Sequence, residues 1–171
     1  MKFAIDYGHN CPPDTGCPGV KLEDNLTKLV GQKVIAKLKD LGYAVVDTHP
    51  GSAATITESL AKRCKSANDA QVDRYISIHF NCFDGTAHGT EVFAISEAGK
   101  RLAASVLTEI CQLGFFNRGV KDGSHLYVLK NTSMPAILIE CCFCDSVRNM
   151  KIFDADVMVN AIVLGLTGKT A

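Results

Sequence analysis

The chain has 171 residues, 47% of them hydrophobic and 21% charged, a balance that supports one folded domain with a sizeable core and excludes a disordered chain. Lysine plus arginine equals aspartate plus glutamate, 18 each, so no net field draws the chain to nucleic acid or anionic lipid. Recognition must come from a local site.

A first strand is expected at 2–6. Its apolar stretch is too short for the core of a signal peptide, and no segment approaches the length of a membrane span. Synthesis in the cytoplasm without a leader is the expectation, with a trimmed leader the alternative. Gly8 follows, read as the residue that lets the backbone turn sharply before His9. From Glu23 to Leu41, Leu22, Leu26, Leu29, Val34, Leu38 and Leu41 form one apolar stripe, and Gly42 ends that helix.

A strand at 43–48 precedes a helix from Ser59 to Ala70, with Ser59 the candidate N-cap. Strands are expected at 73–79 and 89–95, then a helix from Ala98 to Leu113 and a short strand near 126–130. Ala136 to Ile139 is continuously apolar, as in a central strand covered on both faces, and the strand is placed at 136–140. A last helix spans about 154–166, with Asp154 and Asp156 at its dipole-favoured start. Alternating elements of this kind give an α/β fold: three layers, a mixed but mostly parallel sheet of about six strands, helices on both faces.

Eight cysteines stand at 11, 17, 64, 82, 111, 141, 142 and 144. A chain able to make its own core does not need a disulfide framework, so reduced thiols are expected; a clip between Cys11 and Cys17 is the weaker alternative. Cys141 and Cys144 form C-x-x-C without a second ligand pair or a redox context, and read as small buried residues after a strand. His49, His88 and His125 fall in loop-like segments and are expected to face solvent.

The chemistry gathers at strand ends. His9 lies just beyond the first strand, His79 ends Tyr75-Ile76-Ser77-Ile78-His79, Glu140 ends Ala136-Ile137-Leu138-Ile139-Glu140, and Glu23 opens a helix. In an open α/β sheet, ligands bind beyond the carboxyl ends of strands. Two imidazoles and a carboxylate suit a catalytic zinc with one position left to water, and a further carboxylate serves hydrolysis. Taken singly, His9 and Glu23 read as ordinary surface and helix-start groups. Glu140 does not, because an acid closing an apolar strand is costly to bury unpaired. Alternation puts Ser77, His79 and Asn81 on one face of their strand, so Asn81 is a candidate to orient a substrate amide or to support a ligand. Arg63 and Asn68 read first as anchors of their helix.

Ile5-Asp6-Tyr7-Gly8-His9, Glu23, Ser59-Leu60 through Arg63 to Ala67-Asn68, Ile76 to Asn81, Gly89-Thr90-Glu91-Val92, Asn117 to Lys121 and Met134 to Glu140 follow one another in order. Together they resemble the zinc-dependent N-acetylmuramoyl-L-alanine amidases of the type-3 amidase family, from about Lys2 to Gly165. The resemblance implies one zinc ion held by His9, Glu23 and His79, with Glu140 as the catalytic carboxylate. The reaction implied is cleavage of the amide between N-acetylmuramic acid and L-alanine in peptidoglycan, at the bacterial cell wall. Asn81, Arg63 and Arg118 are the candidate substrate contacts. One catalytic domain is expected over 1–171, as in a phage endolysin or a trimmed autolysin, with any wall-binding module a separate domain of the parent protein. Asn10-Cys11-Pro12-Pro13 and Cys141-Cys142-Phe143-Cys144-Asp145 depart from the family pattern. The alternatives are a zinc exopeptidase or deacylase of the same fold, and an inactive wall-binding module.

Overall fold

The structure is a computed structural model, and it describes residues 1–169. Its elements run β1 (Lys2–Tyr7), α1 (Glu23–Asp40), β2 (Ala44–Asp47), α2 (Ile56–Asp69), β3 (Arg74–Asn81), β4 (Thr90–Ala94), α3 (Glu97–Cys111), β5 (Asn117–Asp122), α4 (Tyr127–Lys130), β6 (Ala136–Phe143), α5 (Val147–Ile152) and α6 (Ala155–Thr167). The six strands form one sheet in the order β2-β1-β3-β6-β4-β5. The β2, β1, β3 and β6 strands are parallel, β4 runs antiparallel to β6, and β5 pairs parallel with β4. The expected mixed, mostly parallel sheet is therefore present.

Strand alternation sorts the core into two layers. Phe3, Ile5, Ile76, Ile78, Phe80, Val92, Ile137 and Ile139 pack under α1, α3 and α6. Ala4, Tyr75, Ala136 and Leu138 face the smaller layer of α2 and α4. The α1 stripe of Leu26, Val30, Val34 and Leu38 is buried, and α3 and α6 cross where a Cβ on Gly165 would stand 2.5 Å from the Val106 backbone. Among the described residues no helix is long and apolar enough to cross a membrane.

Several expectations are corrected. Residues 126–130 form a helical turn rather than a strand; five residues are too few for periodicity to separate the two. The sixth strand is instead β5, an edge strand whose Asn117-Arg118-Gly119 opening hides it. Thr55, not Ser59, caps α2 by accepting from the Glu58 amide; the Ser59 hydroxyl is buried and donates to Asp14 Oδ2 at 2.7 Å. The short α5 was not anticipated. Asp154 does cap α6, accepting from the amides of Asp156 and Val157.

The cysteine reading changes too. Cys17 and Cys82, 65 residues apart, form a disulfide between the loop before α1 and the loop after β3. The other six are free thiols, five of them buried and Cys111 half-buried. His49 is half-buried, with its ring stacked on Tyr7 at a centroid distance of 4.7 Å. His88 is half-buried beside Arg148, and His125 is exposed.

Candidate metal centre and active site

His79 and Glu140 are register partners on β3 and β6, so both side chains rise on the α2 side of the sheet near its carboxyl edge. His9 follows β1 with a left-handed backbone, φ 61°, continued by Asn10 at φ 60°. A histidine holds such a conformation only where its surroundings impose it. Asn10 Nδ2 donates to the Gly8 carbonyl and to Thr27 Oγ1, and the Thr27 hydroxyl donates to the same carbonyl. Gly8 is not the turning residue. It is needed for space, since a Cβ there would stand 2.1 Å from the His79 imidazole.

Glu23, the first residue of α1, reaches the same point from the sheet edge. Its Oε1 accepts the Phe80 amide at 3.1 Å and its Oε2 the Cys17 amide at 3.0 Å. Oε1 lies 3.3 Å from His9 Nε2 and 3.2 Å from His79 Nδ1. The two imidazoles meet edge to face, centroids 4.8 Å apart. One ligand atom from each of His9, Glu23 and His79 lies within 4.8 Å of the others. Asp14 Oδ1 sits 2.9 Å from His9 Nδ1, which leaves Nε2 facing Glu23. A carboxylate behind a ligating imidazole fixes its orientation and raises its basicity.

The electrostatics call for a cation. Burial opposes charge on His9, yet Asp14 and Glu23 outweigh it and push the imidazole up to about 10. Burial also disfavours charge on Glu23, but His79 and His9 hold its carboxyl well below the usual range. Two imidazoles and one carboxylate are a donor set suited to zinc, and the convergence of these three atoms fits that ion.

Glu140 is the unmatched group. Its Oε2 is enclosed and has no hydrogen-bond partner among the described residues. Burial pushes its carboxyl up to about 7; Glu23 and Glu91 act in the same sense, against His79. Its carbonyl accepts from Thr90 Oγ1 at 3.0 Å, so the strand beneath it is pinned. A carboxyl tuned near neutrality and left free to exchange a proton is the equipment of a general acid–base. A cavity of about 140 Å³ opens beside His9 and His79, bounded by Arg63, Leu126, Tyr127 and Leu138. A larger one of about 550 Å³ lies at the start of β6, among Ile95, Ser124, Lys130 and Pro135, and has no histidine or acid in its lining. The smaller is the one that reaches His9 and His79.

The three candidate substrate contacts fall in different places. Arg63 is buried beneath the site, not on its open face: its guanidinium pairs with Asp6 and Asp14 and donates to the carbonyls of Tyr7 and His9. Asn81 Nδ2 donates to Glu91 Oε1 at 2.8 Å. Arg118 Nε donates to Glu91 Oε2 at 3.1 Å. Asp6, Asp14 and Glu91 were not singled out from the sequence. Asp14, after two prolines, looks like a turn residue, and Glu91 looks like an outward-facing strand acid; only tertiary contacts reveal either.

Residues 3–167 match the family model described as N-acetylmuramoyl-L-alanine amidase. An uncharacterized protein of Clostridium perfringens is 33% identical over 160 residues, which cover 90% of this chain and 47% of that protein. A second protein of that species is covered to 46%, so the chain spans about half the length of these relatives. Among solved structures, the N-acetylmuramoyl-L-alanine amidase AmiC2 of Nostoc punctiforme is 29% identical with a TM-score of 0.85, covering 98% of this chain and 96% of that one. The catalytic domain of the CD27L endolysin targeting Clostridia difficile superposes with a TM-score of 0.90 over 100% and 99% of the two chains, at 24% identity, a likeness that speaks for the fold. With a model match over nearly its whole length, the chain belongs to the N-acetylmuramoyl-L-alanine amidase family of type 3.

Proposed function

We propose that this chain is a zinc-dependent hydrolase that cuts the amide between N-acetylmuramic acid and L-alanine in peptidoglycan. The observation that carries the reading is the convergence of His9, Glu23 and His79 beside the enclosed, unpartnered Oε2 of Glu140. Family membership supplies the substrate class; peptidoglycan amidase is what the AmiC2 likeness is named for.

His9 Nε2, Glu23 Oε1 and His79 Nδ1 are the atoms placed to hold the ion. Zinc bound there supplies Lewis acidity, polarising a carbonyl and acidifying a water. Asp14 keeps His9 in the orientation that presents Nε2, and the Phe80 and Cys17 amides keep Glu23 from swinging away. Glu140 takes the proton of the attacking water as its oxygen bonds to the carbonyl carbon. It returns that proton to the nitrogen of L-alanine as the carbon–nitrogen bond breaks, so one carboxyl serves as base and then acid. Residues 1–171 act as one catalytic domain in this reading, and a wall-binding module outside them accords with the greater length of the relatives. The site of action is the bacterial cell wall.

The test is digestion of purified peptidoglycan with and without a chelator, alongside Glu140→Gln, with the new ends identified by mass spectrometry. Free L-alanine amino termini on intact glycan strands, lost with chelator and with Glu140→Gln, are expected. Ends at another amide would move the reading to an exopeptidase or deacylase. Wall binding by the zinc-loaded protein without any release would leave a binding module.

A further inference from the structure

Glu140 does not stand alone on its side of the sheet. Register places Glu91 of β4 directly opposite Glu140 of β6, and partners in a ladder point to the same face. One strand further out, Arg118 of β5 reaches back over Glu91. Thus His79, Glu140, Glu91 and Arg118 form a row along one edge of the sheet, at the carboxyl ends of β3 and β6 and the amino ends of the oppositely directed β4 and β5.

The last member of that row is held in a particular way. Arg118 Nε donates to Glu91 Oε2, and the guanidinium lies over the Phe143 ring, 4.9 Å from its centroid. Glu91 is itself buried and fixed through its other oxygen by Asn81. Gly89 makes room for the arginine stem, since a Cβ there would stand 3.1 Å from Arg118 Cγ. One ion pair, one aromatic face and one missing side chain therefore set the plane of the guanidinium. Its two terminal nitrogens have no partner among the described residues, and about a third of the side chain is open to solvent. An arginine fixed by Nε with its terminal donors presented outward is preorganised for a carboxylate.

Spacing says which carboxylate. Glu140 and Arg118 are two strands apart, about 10 Å between backbones, and the arginine head is drawn back toward Glu91 between them. Taking off roughly one strand spacing for that reach leaves about 5 Å, room for between one and two residues of an extended peptide beyond the scissile amide. Building on the proposed amidase reaction, we infer that Arg118 is a specificity-determining residue that binds a free carboxylate on the stem residue following L-alanine. The preferred substrate class is then an N-acylmuramoyl-L-alanyl peptide with an acidic second residue, and amidation of that carboxylate makes a poorer substrate.

The experiment compares N-acetylmuramoyl-L-alanyl-γ-D-glutamyl-L-lysine, in which the α-carboxylate of the second residue is free and its γ-carboxyl is tied up in the next peptide bond, with the same compound amidated at that α-carboxylate. For the parent protein, kcat/KM is expected to favour the free acid by about ten- to a hundredfold, the range of one charge-assisted hydrogen-bonded contact, mostly through KM. Arg118→Gln should bring the ratio to near one, and Arg118→Lys, which keeps charge but loses the fork, should leave it in between. Binding of the product tripeptides to chelator-treated protein, followed by amide chemical shifts, should show the same order. Equal use of both substrates by the parent, or a preference that survives Arg118→Gln, overturns the inference while leaving the amidase reading intact. Cleavage of neither substrate by protein that is active on no wall preparation overturns both.

Discussion

Replacing Arg63 with leucine should destabilise the protein severely without any contact to substrate being lost. The guanidinium is 1% exposed and serves two acids at once, Asp6, which is equally buried, and Asp14. It also donates to Ser59 Oγ and to the carbonyls of Tyr7 and His9. Leucine fills part of the volume but leaves both carboxylates without their cation. Removing one partner of a buried pair costs about 3–5 kcal/mol, and a chain of this size loses about 2–4 °C of melting temperature per kcal/mol. A fall of about 10 °C is expected, or about 2 M in urea midpoint. The assay is equilibrium urea unfolding of chelator-treated protein, so that metal affinity does not enter. Arg63→Leu combined with Asp6→Asn should recover roughly half of the loss, because the penalty comes from the orphaned charge. A loss below about 1 kcal/mol, or a double variant no better than the single one, would refute the keystone role. A raised KM at unchanged stability would return Arg63 to the substrate.

Gly8→Ala places a methyl group against the His79 ring, so zinc affinity measured by competition with a chelating dye should fall at least tenfold, as for lost ligand support, while the far-ultraviolet spectrum stays native. Removing the metal by chelation should abolish amide cleavage yet leave the protein folded, because Asp14 and the Phe80 and Cys17 amides hold the ligands without it; collapse of the near-ultraviolet signal would show the opposite. Thiol titration should find one readily reactive group, Cys111, in native protein, six after denaturation and eight after reduction. Cys17→Ser with Cys82→Ser should cost about 4 kcal/mol, the chain-entropy value for closing a loop of this length, and an unchanged urea midpoint would count against the bond. Tyr75 is fully buried with its hydroxyl donating to Asp6 Oδ2 at 2.6 Å, and burial first, then Asp6, raises its phenol well above the usual value. The unfolded chain ionises this phenol from about pH 10 while the folded chain does not, so its contribution is present below that pH and lost as pH rises. Tyr75→Phe should flatten the alkaline loss of stability seen in unfolding curves between pH 9 and 11.

The elements that the sequence declared were those whose burial pattern is set by their own period. Ile76, Ile78 and Phe80 alternate against Tyr75, Ser77 and His79, and β3 could be placed within two residues at its end. The α1 stripe is long enough to be unmistakable. The failures share a cause: β5 is an edge strand with a Gly119 at φ 93° and little to bury, and α4 is four residues long. Neither has a period to read. Their partners, β4 for one and α2 for the other, supply the order that their own residues do not.

The site divides along the same line. Glu140 is anomalous locally, as an acid closing an apolar strand, whereas His9 and Glu23 are ordinary taken singly and are marked by the placement they share with His79 and Glu140 around one strand-end rim. Their supports carry no such mark. Glu91 becomes meaningful only when β3 and β4 flank β6, since it accepts from Asn81 of another strand, and Asp14 and Cys17 act on His9 and Glu23 through the path of the β1–α1 connection, which no period reports. Arg63 carries no local mark of its role for the same reason. An arginine in a family motif suggests an anion to bind, and here the anions are Asp6 and Asp14 of the protein itself. Arg118 looks alike in sequence but has one buried acid for its Nε and, among the described residues, no partner for its terminal nitrogens. What separates a structural arginine from a recognising one is how many of its donors the fold has already used, and that quantity exists only in three dimensions.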